Sequence, residues 1–237
     1  MLREQARGGS PEPAKDAIIL DLTTDQLLST TRTVRRRLDL TRPVSRELLN
    51  ECLELALQAP SGGNRQDWRF VVVTEEDRRR RLGEIYRRAW DRYVKEGILA
   101  PPSRPSDPDE RAQARRIGRS ALHLADHMGE VPALLVPCHE GRFEGRPSLV
   151  QASLYGSILP AVWSFMLAAR ARGLGTAWTT LHLFHEQEVA EVLDIPYDEV
   201  TQVAMIPVAH TLGTDFRPGA RGDMDVAVRW DSWEASP

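Results

Sequence analysis

A chain of 237 residues, 41% hydrophobic and 27% charged, has the makeup of a soluble globular protein, long enough for one sizeable core or two small ones. Its formal net charge of −3 argues against general binding to a nucleic-acid backbone, which shows as a basic excess. Two cysteines, Cys52 and Cys138, make neither a disulfide framework nor a metal set, and both sit in apolar runs as packing residues.

Residues 1–16 are rich in Gly, Pro and charge and read as a loose arm. They lack the apolar run of a secretory signal, so the expectation is a cytoplasmic protein. A first helix is expected over 24–31, started by Thr23 or Thr24. The arginine-dense stretch TTRTVRRRLDLTRPV follows, and Ser45 then caps a helix with the stripe Leu48, Leu49, Cys52, Leu55, Ala56, Ala59. Pro60 ends it, and FVVV (70–73) is a short buried strand. Thr74 and Asp77 have capping-box spacing before a long amphipathic helix through Leu82, Ile85, Tyr86, Ala89, Trp90 and Tyr93, stopped by Gly97. The Pro-rich segment that follows predicts a mobile excursion over 98–116, leading into a second basic helix that ends near Gly129.

PALLVPC (132–138) reads as a strand and 149–172 as a helix without formal charge before Arg170. That helix raises a membrane question, but its Gly, Ser and Pro and its Arg170, Arg172, Gly173 stop suit a buried core or interface helix, kinked at Pro160. GTAWTTL (175–181) is extended, HEQEVAEVL (185–193) helical, and VTQVAMIPVAH (200–210) a strand. Long helices between short strands indicate one sheet covered by helices, α+β or α/β.

Four arginines, Arg32, Arg35, Arg36 and Arg37, suit either a solvated face or an anion site, where the guanidinium fork matches a phosphate. The loop APSGGNRQDW carries Asn64 and Gln66, amides able both to donate and to accept. GLGTAW (173–178) is not GxGxxG; its Gly173 reads as a left-handed helix cap. His123 and His127 have a metal-compatible i, i+4 spacing but no HExxH glutamate, while His182 and His185 read as capping or solvent-exposed. No serine elbow, no Cys–His pair and no acid–base set stands out, which leaves the chemistry to a cofactor.

TRTVR (31–35), APSGGNRQDWRFVVV (59–73) and GLGTAW (173–178), followed by DFRPGAR (215–221) and the tail RWDSW, together resemble the FMN-dependent nitroreductase family. The resemblance covers roughly residues 25–233 and implies an α+β fold with a central, mostly antiparallel sheet covered by helices. It implies one FMN-binding domain over 17–222, with 98–116 as a lid, and an intertwined homodimer exchanging a C-terminal arm, 223–237. It also implies a site: Arg32 and Thr33, with Arg221 or Arg217, toward the FMN phosphate, Val34 among the cofactor-binding residues, and Arg35 at the N1/C2 carbonyl edge. Asn64 and Gln66 would meet the pyrimidine edge or ribityl hydroxyls, with Pro60 and Ser61 approaching from the partner subunit. Thr179, Thr180 and Leu181 would offer backbone N–H groups near N5 and O4. Thr31 replaces the family's usual first Arg, and Asp67 its usual Pro. The implied activity is transfer of electrons from NAD(P)H to nitroaromatics, quinones or similar acceptors, without a metal, a membrane or nucleic acid. Two alternatives accompany it: a non-catalytic flavin-sequestering protein of the same fold, and a deazaflavin-dependent reductase.

Overall fold

The computed structural model describes residues 18–97 and 107–234. The chain runs through α1 (Thr24–Thr30), α2 (Arg46–Ala56), β1 (Trp68–Val73), α3 (Glu76–Glu96), α4 (Pro108–His127), β2 (Ala133–Glu140) and α5 (Ser148–Ala171). It continues through β3 (Leu174–Thr176), α6 (Glu186–Leu193), β4 (Val200–Gln202), β5 (Ile206–His210) and α7 (Met224–Ala227).

The helix starts are set by side-chain caps. Thr23 and Gln26 form a reciprocal capping box for α1, and Ser45 Oγ accepts from the Leu48 N–H for α2. For α3 the expected box at Thr74 is displaced by one residue: the Glu75 carboxylate accepts from the N–H groups of Asp77 and Arg78. A carboxylate there also meets the positive end of the helix dipole, an advantage that a threonine hydroxyl lacks. Gly97 ends α3 at φ 61°, and Gly173 follows α5 at φ 72°, as read from the sequence. Of the expected excursion, 98–106 lie outside the described residues, while Pro108 onward is helix α4, started by the Asp107 cap. The 1–16 arm also lies outside them. Pro160 sits inside α5 without ending it.

The sheet order is β1-β2-β5-β3, with β4 also on β2, and every strand pairing is antiparallel. The central strand is β2, buried along its length except for Glu140. Its alternation divides the protein into two cores. Ala133 and Leu135 face Leu48, Cys52, Ile158 and Phe165 of α2 and α5, together with Trp68. Leu134, Val136 and Cys138 face Leu82, Ile85, Tyr86 and Met128 of the α3–α4 side and Val189 of α6. Both cysteines are buried, which pushes their thiols up to about 12 and keeps them protonated at neutral pH.

The single strand expected over 200–210 is two. Cys138 lies opposite Gln202, but Leu135 lies opposite Ile206, so the ladder gains one residue between β4 and β5. Pro137 of β2 sits at that step and has no N–H to continue the ladder, although its carbonyl still accepts from Val203.

Gly175 allows the arginine segment to lie against β3. A Cβ there would come 2.7 Å from Thr211 Cγ2 and 2.9 Å from Val34 Cγ1. Gly175→Ala is therefore expected to destabilise the protein by about 1–3 kcal/mol, the usual cost of overpacking, as a lower urea midpoint; an unchanged midpoint would show that the contact relaxes freely.

Candidate functional site

Residues 31–38 form a strip across the end of the sheet. The Val34 N–H donates to the Thr176 carbonyl at 2.8 Å, Thr33 bridges Thr176, and Leu38 bridges Thr211. Val34 and Leu38 point into the core, which leaves Arg32, Thr33 and Arg35 along the outer side. Arg32 Nη1 donates to the Arg217 carbonyl at 2.8 Å. A Cβ placed on Gly219 would lie 2.7 Å from Arg221 Nη1 and 2.9 Å from Arg32 Nη2. The two ends of the polypeptide thus bring two guanidinium groups to one point. Among the described residues, Arg32 and Arg221 donate only to backbone carbonyls, and no carboxylate forms an ion pair with Arg32, Arg217 or Arg221. The acid nearest in sequence to Arg217, Asp215, is engaged by Arg37 at 2.5 Å. Converging cations without a counter-charge make a ready seat for an anion.

Beside this cluster Arg35 is half-buried, and burial lowers its pKa. Its neighbour Tyr86 has a phenol pushed up by burial and held back by Thr179 and by the Arg35 charge. Thr179 turns its hydroxyl inward, donating to the Met205 carbonyl at 2.5 Å. Thr180 and Leu181 lead into a 3-10 turn, Leu181–His185, and their backbone N–H groups find no acceptor among the described residues.

The amide loop is a separate, shaped surface. Gly63, Asn64 and Gln66 have φ of 60°, 53° and 54°, so two non-glycine residues occupy the left-handed region. The loop is held from inside: Gln66 N–H donates to Ser61 Oγ at 3.2 Å, Gln66 Nε2 to Asn64 Oδ1 at 2.9 Å, and Gly62 N–H to Ser157 Oγ at 2.9 Å. Trp68 anchors it from below, buried in the core. Asp67 is paired with Arg65 at 2.6 Å, which meets locally the negative charge that replaces the family's proline. Pro60, Asn64 and Gln66 face outward, and a cleft of about 390 Å³ separates the loop from the first half of α5, lined by Ser61, Gln66, His139, Leu149, Ser153 and Leu154.

These two groups do not meet within one chain. The loop rests on Ser157 of α5, whereas the arginine strip is tied to Arg170 of the same helix through Thr30. Thirteen residues of helix between 157 and 170 span roughly 20 Å at 1.5 Å per residue. Arg32, Thr33, Arg35, Arg217 and Arg221, with Thr179, Thr180 and Leu181 beyond β3, thus form one group, and Pro60, Ser61, Asn64 and Gln66 form another; Val34, expected among the cofactor-binding residues, is instead a core residue whose N–H is taken by Thr176.

Sequence reasoning placed His182 at a cap or in solvent, and the structure overturns this. Its imidazole is completely buried, neither ring nitrogen has a partner among the described residues, and burial lowers its pKa to about 3. Leucines on both sides of it were the available signal. His185 pairs with Glu188 at 2.9 Å. His127 Nδ1 lies 2.8 Å from the His123 carbonyl, and no cluster of three metal-ligating side chains occurs among the described residues. Arg170 and Tyr86 were also missed as neighbours of the cluster; read as a helix stop and a core aromatic, they carried no sequence signal for that role.

The sequence profile described as the Nitroreductase family matches residues 28–210. The chain is 33% identical over 154 residues to a 5,6-dimethylbenzimidazole synthase of Rhodospirillum rubrum, covering 65% of this chain and 67% of that one. It is 28% identical to a nitrobenzene nitroreductase of Ectopseudomonas oleovorans, over 76% of this chain and 84% of that protein. Among solved structures, iodotyrosine deiodinase bound to FMN and 3-iodo-L-tyrosine superposes with a TM-score of 0.64 at 23% identity, covering 87% of this chain and 98% of that one. At that identity the likeness concerns the fold.

The buried histidine has a pH signature. Its folded pKa, about 3, lies below the ordinary 6.5, so the unfolded chain takes up a proton that the folded chain refuses. Its contribution is neutral above pH 6.5 and becomes destabilising as pH falls from 6.5 toward 3, by up to ~1.4 kcal/mol per pH unit. Urea unfolding at pH 7 and pH 5 is expected to show a smaller loss for His182→Leu than for the wild type; equal losses would mean that the ring is protonated in the folded state.

Proposed function

We propose, from the premise that this chain belongs to the nitroreductase family, that it is a homodimeric FMN-dependent oxidoreductase passing electrons from NAD(P)H to an electron-poor acceptor such as a nitroaromatic or quinone. The observation that carries this reading is the convergence of Arg32 and Arg221 on Gly219 with only carbonyl partners. A phosphomonoester fits there: it is dianionic, compact and able to accept from both forks, with the exposed Thr33 hydroxyl beside them.

Bound at this site, FMN supplies reversible two-electron chemistry. The protein's residues bind and tune. Arg35, half-buried and without a carboxylate partner among the described residues, places positive charge beside the ring, where it favours the electron-rich reduced form. The free N–H groups of Thr180 and Leu181 are donors for the ring's polar edge. Asn64 and Gln66 of the partner subunit complete the site, because in a single chain the two groups rest on points of α5 roughly 20 Å apart along the helix. Donating and accepting atoms alternate along the pyrimidine edge, and an amide satisfies either kind. No side chain in the site has to supply a proton if solvent does.

The dimer reading is supported by surface that a monomer leaves uncovered. Tyr155, Leu159 and Trp163 recur at i, i+4, i+8 on α5 and are all exposed. Met224, Val226, Trp230 and Trp233 of the tail are exposed as well, apolar side chains suited to an arm laid on a second subunit.

A second reading, synthesis of a dimethylbenzimidazole, is favoured by the 33% identity to a synthase of that compound. Product analysis separates the two: steady NAD(P)H oxidation with a nitroaromatic supports the reductase, and a benzimidazole product supports the synthase. Flavin bound with neither activity would leave a sequestering protein.

Two variants test the site. Arg32→Ala with Arg221→Ala is expected to purify colourless and to bind FMN at least ~100-fold more weakly, about 2.7 kcal/mol, with its circular dichroism unchanged; retention of the yellow cofactor would refute the phosphate assignment. Trp163→Asp is expected to sediment as a monomer and to lose FMN at the same time, whereas a monomer that keeps FMN would show that one chain suffices.

A further inference from the structure

Arg170, near the C-terminal end of α5, is a buried cation with no acidic partner among the described residues. Its residue is 4% exposed, yet no carboxylate pairs with it among the described residues. Nη2 donates to Thr30 Oγ1 at 3.3 Å and to the Thr214 carbonyl at 3.1 Å, while Nε and Nη1 have no hydrogen-bond partner. Its guanidinium lies 4.9 Å from the centroid of the Phe216 ring, and Arg37 lies 4.3 Å from the same ring. Arg37 also donates to the Leu212 carbonyl and pairs with Asp215, so its charge is answered at the surface. The Arg170 charge has no such answer among the described residues.

An unanswered buried guanidinium is expensive, and replacement by an apolar residue of similar size is often neutral or stabilising. What singles out this one is where its two hydrogen bonds go. Thr30 stands two residues before Arg32, and Thr214 three residues before Arg217. One side chain therefore joins the two segments that supply the converging cations. Phe216, packed beneath it, immediately precedes Arg217.

We propose that Arg170 is a positioning residue for the anion site, fixing the 212–221 loop against the arginine strip and adding a buried positive charge that is answered only when a phosphomonoester binds. It touches neither the phosphate nor a reacting atom. The inference rests on the phosphate reading of the Arg32–Arg221 cluster. It explains why a cation remains at a buried position where it meets Arg37 across one aromatic ring: the repulsion is tolerated because a dianion relieves it. Loop and ligand are coupled in consequence, and the site distinguishes a phosphorylated flavin from its dephosphorylated form partly through a residue outside the contact shell.

The test measures FMN and riboflavin affinities by fluorescence quenching for the wild type, Arg170→Gln and Arg170→Lys, with a thermal melt of each. Arg170→Gln is expected to weaken FMN about tenfold, ~1.4 kcal/mol, and riboflavin less than twofold; Arg170→Lys, which keeps the charge, is expected to recover most of the difference. Equal weakening of both flavins would reduce Arg170 to a structural role and overturn the proposal, as would wild-type FMN binding in Arg170→Gln. Should Arg170→Gln not fold, a Lys variant with the FMN-to-riboflavin ratio of Arg32→Ala, and not of the wild type, would overturn it equally. If the wild type itself fails to prefer FMN over riboflavin, the phosphate reading fails first, an outcome distinct from one in which the wild type prefers FMN and Arg170→Gln prefers it as strongly.

Discussion

Like charges brought together with no carboxylate partner among the described residues are the constraint that the rest of this structure has to meet. Arg32 Nη2 and Arg221 Nη1 lie 2.9 and 2.7 Å from one point, so they are less than about 6 Å apart. At that separation two unit charges repel by about 1–3 kcal/mol, between water-like and protein-surface screening. Folding alone gains nothing from this arrangement. It is held by groups that do gain: Val34 and Leu38 buried in the core, the Val34 N–H on the Thr176 carbonyl, and the Arg37 bonds to Leu212 and Asp215. The Val34 contacts fix the arginine strip on the sheet, and Arg37 joins the strip to the 212–215 segment. The Arg32 and Arg221 side chains are therefore presented by a scaffold whose stability comes from other groups.

The same separation of scaffold and function explains α5. A helix with no formal charge before Arg170 is long and apolar enough to cross a membrane, and it is the one such helix among the described residues. Its inner face packs on α2 and β3. Its outer face carries Tyr155, Leu159 and Trp163, an exposed apolar stripe. Between the amide loop on Ser157 and the arginine strip tied to Arg170, α5 spans roughly 20 Å, so the two groups of one chain rest at different points along it.

Much of this was legible in the sequence because the decisive patterns were local. Ser45, Gly97 and Gly173 announced helix ends through hydrogen bonding and left-handed backbone, and the apolar run of β2 and the stripe of α3 announced a strand and an amphipathic helix. The misread elements have separate causes. A one-residue bulge opposite Pro137 divides the 200–210 strand, and pairing across β2 is not visible from the segment itself. The cap of α3 moved to Glu75 because two candidate caps stand side by side and the charged one wins. His182 was misplaced for a deeper reason. A histidine between apolar neighbours is ambiguous, and only packing decides whether its ring is drawn in and neutralised.

The amide loop shows how a sequence can reveal a site's chemistry without its geometry. Asn64 and Gln66 were recognisable as costly choices for a connector, but their left-handed backbone was not. Asn is among the residues that tolerate that region; Gln is not favoured there. The loop retains both because Ser61 accepts the Gln66 N–H, Asn64 accepts the Gln66 side chain, and Ser157 accepts the Gly62 N–H. Each of these contacts satisfies a donor that a relaxed loop would give to water. What remains unspent is the outward side of the two amides, Gln66 Oε1 and Asn64 Nδ2, one acceptor and one donor. The loop thus carries backbone strain while a donor and an acceptor stay fixed and exposed, and its contact on α5 lies far along the helix from that of the arginine strip.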